Sequence, residues 1–132
     1  MAETDTPLPL TDCPVLHRDR FLLLVDKPAG VLSHPNTASD ISSSLLRLPY
    51  DSKMECYTVG SGAELRRLWL LNRLDQSTSG LILCCDSEFM QTQVLDLFLH
   101  RKVQKEYIAK VFGVVRGPQD WKDALTVRRQ GE

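Results

Sequence analysis

No apolar run in this 132-residue sequence reaches the roughly 20 residues that a transmembrane helix requires, so a membrane span is not expected. Neither sign of charge is in excess. The 16 lysines and arginines stand against 17 acidic residues, a formal net charge of -1. Bulk composition therefore points to no polyanionic partner, and any nucleic-acid surface must be local. The four cysteines, Cys13, Cys56, Cys84 and Cys85, lack the paired short spacings of a zinc site. No metal is expected, and without a secretory context a reducing compartment fits better than a disulfide framework. Cys84 and Cys85 sit in the apolar run Leu81-Ile82-Leu83-Cys84-Cys85 and read as small buried hydrophobes. The opening Met1-Ala2-Glu3-Thr4-Asp5-Thr6-Pro7 is acidic and has no apolar centre, unlike a signal peptide or an Arg-rich transit peptide, so an intracellular protein is expected. Internal repeats and low-complexity tracts are absent too.

What is present is enough for one domain: 42% of the residues are hydrophobic. Residues 1–14, with three prolines and no periodicity, read as a flexible lead-in, and residues 15–132 as the domain. Phe21-Leu22-Leu23-Leu24-Val25 is a short apolar run before Asp26-Lys27-Pro28-Ala29-Gly30, the pattern of a buried strand entering a turn; a second short strand through Val31 and Leu32 should follow. Ser39 or Asp40 is placed to cap a short helix carrying Ile41, Leu45, Leu46 and Leu48, stopped by Pro49. Residues 51–64, with Gly60 and Gly62, read as loop, and residues 68–71 and 81–85 as strands around the polar connection 72–80. Phe89, Met90, Val94, Leu97, Phe98 and Arg101 recur at helical spacing and predict a helix over 87–102. Residues 105–112 alternate, with Tyr107, Ala109 and Val111 on one face, and predict a strand ended by Gly113. The elements lack the regular alternation of a doubly wound fold. The expected class is α+β, a mainly antiparallel sheet with one long covering helix.

The connection Asn72-Arg73-Leu74-Asp75-Gln76-Ser77-Thr78-Ser79-Gly80 sets one arginine and one carboxylate at the rim of two apolar strands, where functional groups commonly sit. Local chemistry alone is also met by a turn in which Asp75 caps the backbone and Arg73 is a solvated charge. Tyr107 by itself is an ordinary half-buried strand aromatic. His17 and His34 are isolated and read as surface or satisfied groups. Lys27 reads as structural, with Pro28 and Gly30 directing the chain. Arg66-Arg67, Arg101-Lys102 and Lys105 are either phosphate contacts or charges on a solvated face.

Three segments, in order, resemble the RluA-like pseudouridine synthases. Residues 72–81 resemble that family's HRLD-x-x-TSG-L signature, Val25-Asp26-Lys27-Pro28-Ala29-Gly30-Val31-Leu32-Ser33-His34-Pro35 its KPxG element, and Lys105-Glu106-Tyr107-Ile108-Ala109-Lys110-Val111-Phe112-Gly113 its KxYxAxVxG strand. The resemblance covers about residues 15–117. It implies an enzyme that isomerises uridine to pseudouridine in rRNA or tRNA without a cofactor, with Asp75 as the catalytic carboxylate and Tyr107 as the active-site tyrosine. Arg73 would fill the space left by an everted nucleotide, and Asn72, standing where the family has histidine, would bind beside it. The family's later GRxHQIR-like motif does not occur within these 132 residues, so a partial catalytic domain is expected, with open sheet edges available for association. A non-catalytic RNA-binding or assembly module, or a truncated inactive form of such an enzyme, stays open at this point.

Overall fold

A computed structural model describes residues 13–124. The strands are β1 (Val15–Arg18), β2 (Leu22–Lys27), β3 (Tyr50–Asp51), β4 (Cys56–Val59), β5 (Arg66–Leu70) and β6 (Gly80–Cys85), followed by helix α1 (Glu88–Leu99). They form one six-stranded sheet in the order β1-β2-β6-β5-β4-β3, with every strand pair antiparallel. This is the expected α+β class. Among the described residues no helix is long and apolar enough to cross a membrane.

Unbroken apolar runs mark strands buried on both faces, and the register shows it. Successive side chains point to opposite sides of a strand. Leu23, Val25, Tyr57, Leu68, Leu70, Ile82 and Cys84 join one cluster, beneath Leu45 and Leu46. Their sequence neighbours Cys56, Trp69, Leu71 and Cys85 join the other, where Met90, Val94 and Phe98 of α1 pack. Those three residues stand four apart and lie on one stripe of the helix, while Phe89 and Leu99 stay exposed. Ser87 caps α1 by accepting from the backbone N–H of Met90, 3.4 Å away. At the other end Arg101, at φ 54°, turns the chain back. Its N–H donates to the Phe98 carbonyl and that of Lys102 to the Leu97 carbonyl, the paired bonds of a Schellman ending. Between β1 and β2 the Asp19 carboxylate accepts from the N–H groups of Phe21 and Leu22 at 2.7 and 2.8 Å, which hold its carboxyl below the ordinary value.

Several expectations change. Residues 105–112 form no strand: they are exposed and carry no regular structure, with Phe112 at 108% exposure. Alternation supplies a face, but a strand also needs a neighbour for its N–H and C=O groups, and none of the described strands runs beside it. Residues 51–64 are not simply loop, because Cys56–Val59 pairs with β5. The short helix is a 3₁₀ turn, Ala38–Ser43, whose N-cap is Thr37, with Asp40 reaching back to the Thr37 N–H at 2.9 Å. Leu45 and Leu46 follow it outside the helix and are fully buried. Leu32 makes one parallel bridge to Ser44 in place of a second strand. Of the lead-in, residues 1–12 lie outside the described residues, and Cys13 is buried in the core.

The last residue of β2, Lys27, is fully buried. Its ammonium donates to the carbonyl oxygens of Pro28 at 3.1 Å, Val31 at 2.7 Å and Gln76 at 3.3 Å. Burial lowers its pKa, an effect opposed by the fields of Cys13 and Asp75. Lys27→Met is expected to cost about 3 kcal/mol, because the Pro28 and Val31 carbonyls lose their donor at roughly 1–3 kcal/mol each, while the Gln76 carbonyl keeps the Gly30 N–H. The midpoint of urea unfolding checks it, and a loss below about 1 kcal/mol would show that water replaces the ammonium. All four cysteines are buried thiols, with no disulfide among the described residues. Burial pushes the Cys84 thiol up to about 12, with Cys85 adding to the effect, and also raises Cys56 and Cys85. An aromatic disulfide reagent at pH 8 should therefore label the native chain only as fast as it opens, and all four thiols at once in denaturant.

Candidate active site

The connection between β5 and β6 is tied to the turn that follows β2 by a set of short hydrogen bonds. Ser33, buried, uses its hydroxyl twice: it donates to the Leu74 carbonyl at 2.6 Å and accepts from the Leu74 N–H at 3.0 Å. The Gly30 N–H donates to the Gln76 carbonyl at 2.7 Å, and the Gln76 amide returns a bond to the Gly30 carbonyl at 3.0 Å. Gly30 adopts φ 93°, which suits a residue without Cβ. With Lys27 Nζ reaching the same Gln76 carbonyl, residues 74 and 76 are fixed on either side of Asp75. Asp75 itself closes a turn, its carbonyl accepting from the Thr78 N–H at 3.0 Å. Among the described residues no hydrogen-bond donor reaches the Asp75 carboxylate, which is exposed and open to a ligand.

A cavity of about 400 Å³ opens at this junction, lined by Leu32, Ser33, His34, Asn36, Arg73, Leu74, Asp75 and Gln76. Its size lies within the range of small-molecule sites. Asp75 and Arg73 share it, so two of the site residues expected from sequence come together. Arg73 Nη1 lies 3.3 Å from His34 Nε2 and 3.9 Å from Glu55 Oε1. His34 stacks on Tyr50 with ring centroids 4.6 Å apart and planes 9° from parallel. Burial, with Glu55 next, raises the Tyr50 phenol's pKa, while Arg73 pulls the other way.

Asn72 does not line the cavity. Its side-chain oxygen accepts from the Leu83 N–H at 2.8 Å and its amide nitrogen donates to the Leu81 carbonyl at 2.9 Å. The β5–β6 ladder pairs only Trp69 with Cys85 and Leu70 with Cys84, and Asn72 prolongs it with a side chain in place of backbone. Tyr107 does not line the cavity: it is 64% exposed and belongs to the segment that lacks a neighbour among the described strands. Arg66 is paired with Asp86 at 2.8 Å, and Lys105 lies over the Phe98 ring, its Nζ 5.9 Å from the centroid. Sequence reasoning missed Ser33, His34 and Tyr50. The Ser33 and His34 contacts with residues 73 and 74 span 39 to 41 positions, and no local spacing encodes a separation of that kind.

Comparison with known proteins adds an independent line. The curated relatives include RNA pseudouridine synthase 1 of Oryza sativa subsp. japonica, 33% identical over 103 residues, covering 78% of this chain and 26% of the relative. Ribosomal large subunit pseudouridine synthase D of Buchnera aphidicola is 29% identical over 99 residues, covering 75% of this chain and 30% of the relative. A solved structure described as Human RNA Pseudouridylate Synthase Domain Containing 4 is 32% identical over 67% of this chain and 30% of that chain, with a TM-score of 0.44. The chain thus spans a third or less of the length of these proteins. The family model described as RNA pseudouridylate synthase matches residues 21–130, a span that takes in the cavity and all three of the segments that first pointed there. The extent of that match makes this chain a member of the RNA pseudouridylate synthase family.

Proposed function

We propose that this chain carries the catalytic carboxylate of an enzyme that isomerises uridine to pseudouridine in ribosomal or transfer RNA. The observation that carries the reading is the placement of Asp75 and Arg73 on one cavity, with the Asp75 carboxylate unengaged by donors among the described residues. Isomerisation breaks the bond from N1 to C1′, turns the uracil and joins C5 to C1′. The proton leaves C5, N1 gains one, and no electrons enter or leave. A carboxylate aimed at the ribose can act as nucleophile or base while the uracil is detached, which splits one hard step into easier ones.

A stacked uridine cannot present its ribose and base to such a pocket, so the nucleotide must be everted. Arg73 stands at the mouth with its side chain 54% exposed, and its planar guanidinium can stack on neighbouring bases while bonding to phosphate or base edges. Asn72 is assigned here to holding the connection in shape, since both ends of its amide are bonded to β6. An RNA substrate places the protein inside the cell, wherever that RNA resides. Among the described strands β1 and β3 each have a neighbour on one side only, the arrangement that permits association through a sheet edge.

One observation favours a second reading: Tyr107 is exposed and is not among the residues that line the cavity, which suits binding RNA through Arg73 without isomerising it. One experiment separates the two. RNA labelled with tritium at uracil C5 is expected to release label to water, and Asp75→Asn to reduce the rate at least about 100-fold, the scale of removing a catalytic acid or base. Release unaffected by Asp75→Asn would overturn the assignment of that residue. No release, together with salt-sensitive RNA binding that survives Asp75→Asn and weakens with Arg73→Ala, would select the binding module.

A further inference from the structure

A histidine ring discloses its tautomer when each nitrogen faces a partner of fixed polarity. Both nitrogens of His34 do. The Pro35 carbonyl oxygen, 3.2 Å from Nδ1, can only accept a hydrogen bond, and the Arg73 guanidinium, 3.3 Å from Nε2, can only donate one. A single arrangement satisfies both, with the proton on Nδ1 and the lone pair of Nε2 turned to Arg73. The opposite tautomer sets N–H against N–H at Arg73 and lone pair against lone pair at Pro35. The doubly protonated ring sets two cationic donors 3.3 Å apart.

The ring is also held in place. Tyr50 stacks on it, and Tyr57 meets Tyr50 edge-on at 5.1 Å and 72°. Tyr57 is fully buried, and its hydroxyl donates to the Ser33 carbonyl at 2.8 Å, one residue before His34. A line of packed contacts therefore runs from the core to Nε2. Among the described residues Arg73 has no comparable support of its own. Its other partner, Glu55, is 3.9 Å away with its side chain 66% exposed, and exposed pairs of this kind contribute little.

We propose that His34 is a positioning residue for Arg73: its Nδ1-protonated ring, braced by Tyr50, accepts from the guanidinium and sets the direction in which Arg73 meets an incoming nucleotide. The proposal rests on the reading of Arg73 as an RNA contact. A long side chain directed in advance loses less freedom when it binds, so the benefit appears as affinity. The stack with Tyr50 supplies the rigidity and the Nε2 lone pair the direction. The two contributions are separable by substitution: His34→Phe keeps an aromatic face and removes the acceptor, whereas His34→Gln supplies a carbonyl acceptor without the stack.

The test has two arms, both on the full chain. Long-range proton–nitrogen correlation spectra at neutral pH, with the His34 signals identified by their loss in His34→Gln, are expected to show Nδ1 protonated and Nε2 bare. An Nε2-protonated ring would overturn the contact, and this arm needs no RNA. In the second arm, binding of bulk transfer RNA at fixed salt is measured for wild type, His34→Phe, His34→Gln, His34→Ala, Arg73→Ala and the His34→Phe/Arg73→Ala double variant, with a melting curve for each. His34→Phe is expected to weaken binding about 5-fold, one hydrogen bond's worth, and His34→Gln to recover part of it. In the Arg73→Ala background His34→Phe should add nothing, because the two act through one contact. Full additivity, or wild-type binding by His34→Phe, would overturn the role; should His34→Phe fail to melt cooperatively, Gln, which must then bind more tightly than His34→Ala, decides the same question. A wild-type chain that binds no RNA in a salt-sensitive way sinks the functional reading itself, a result distinct from any failure confined to the variants.

Discussion

The buried ammonium of Lys27 is the contact on which the arrangement of the site depends. A charge removed from water is costly unless dipoles replace the lost solvation, and here three carbonyl oxygens do so. Two of them belong to the turn directly after β2 and the third to Gln76, 49 positions along the chain. Satisfying the ammonium therefore forces two distant connections together. Once they meet, Ser33 and Gly30 complete the junction, and Asp75 is left projecting from a backbone that has little freedom to move.

That junction explains why a polar, hydroxyl-rich connection is ordered at the edge of an apolar sheet. Its carbonyl and N–H groups are bonded to the neighbouring turn and to β6, so the side chains of Arg73 and Asp75 are released for the cavity. Asn72 contributes by acting as a piece of strand, and the aromatic pair Tyr50 and Tyr57 contributes by stiffening the wall in which His34 is set. Stability and function are thus divided among adjacent residues of one segment, with apolar or internally bonded side chains alternating with available ones.

The two faces of the sheet are covered unequally. One is closed by the stretch carrying Leu45 and Leu46, the other by a single stripe of α1 that leaves Phe89, Leu95, Leu97 and Leu99 in contact with water. Beyond α1, Tyr107, Ile108, Val111 and Phe112 are exposed as well. The site that can be assembled here is accordingly built from the turn after β2, the β5–β6 connection and the stretch around Tyr50, and not from the segment after α1.

Wherever a feature depended on neighbours in the chain, the amino-acid order alone determined it. The apolar runs of β2, β5 and β6, the helix after Asp86 and the buried character of Cys84 and Cys85 follow from local periods and from composition, whereas of the helix residues picked out by spacing only Met90, Val94 and Phe98 pack on the sheet and Phe89 and Leu97 stay exposed. The Asn72-to-Gly80 string and its companions were legible too, and with them Asp75 and Arg73. Tertiary structure decided what depends on partners remote in sequence. It turned Cys56–Val59 into a strand by setting it beside β5, denied residues 105–112 the ladder their alternation called for, and left Tyr107 outside the cavity. It also brought His34 to Arg73, giving a histidine that looked isolated a fixed hydrogen-bonding role. The physical reason is the same in each case: side-chain period is set locally, whereas a hydrogen bond exists only when the fold delivers its second partner.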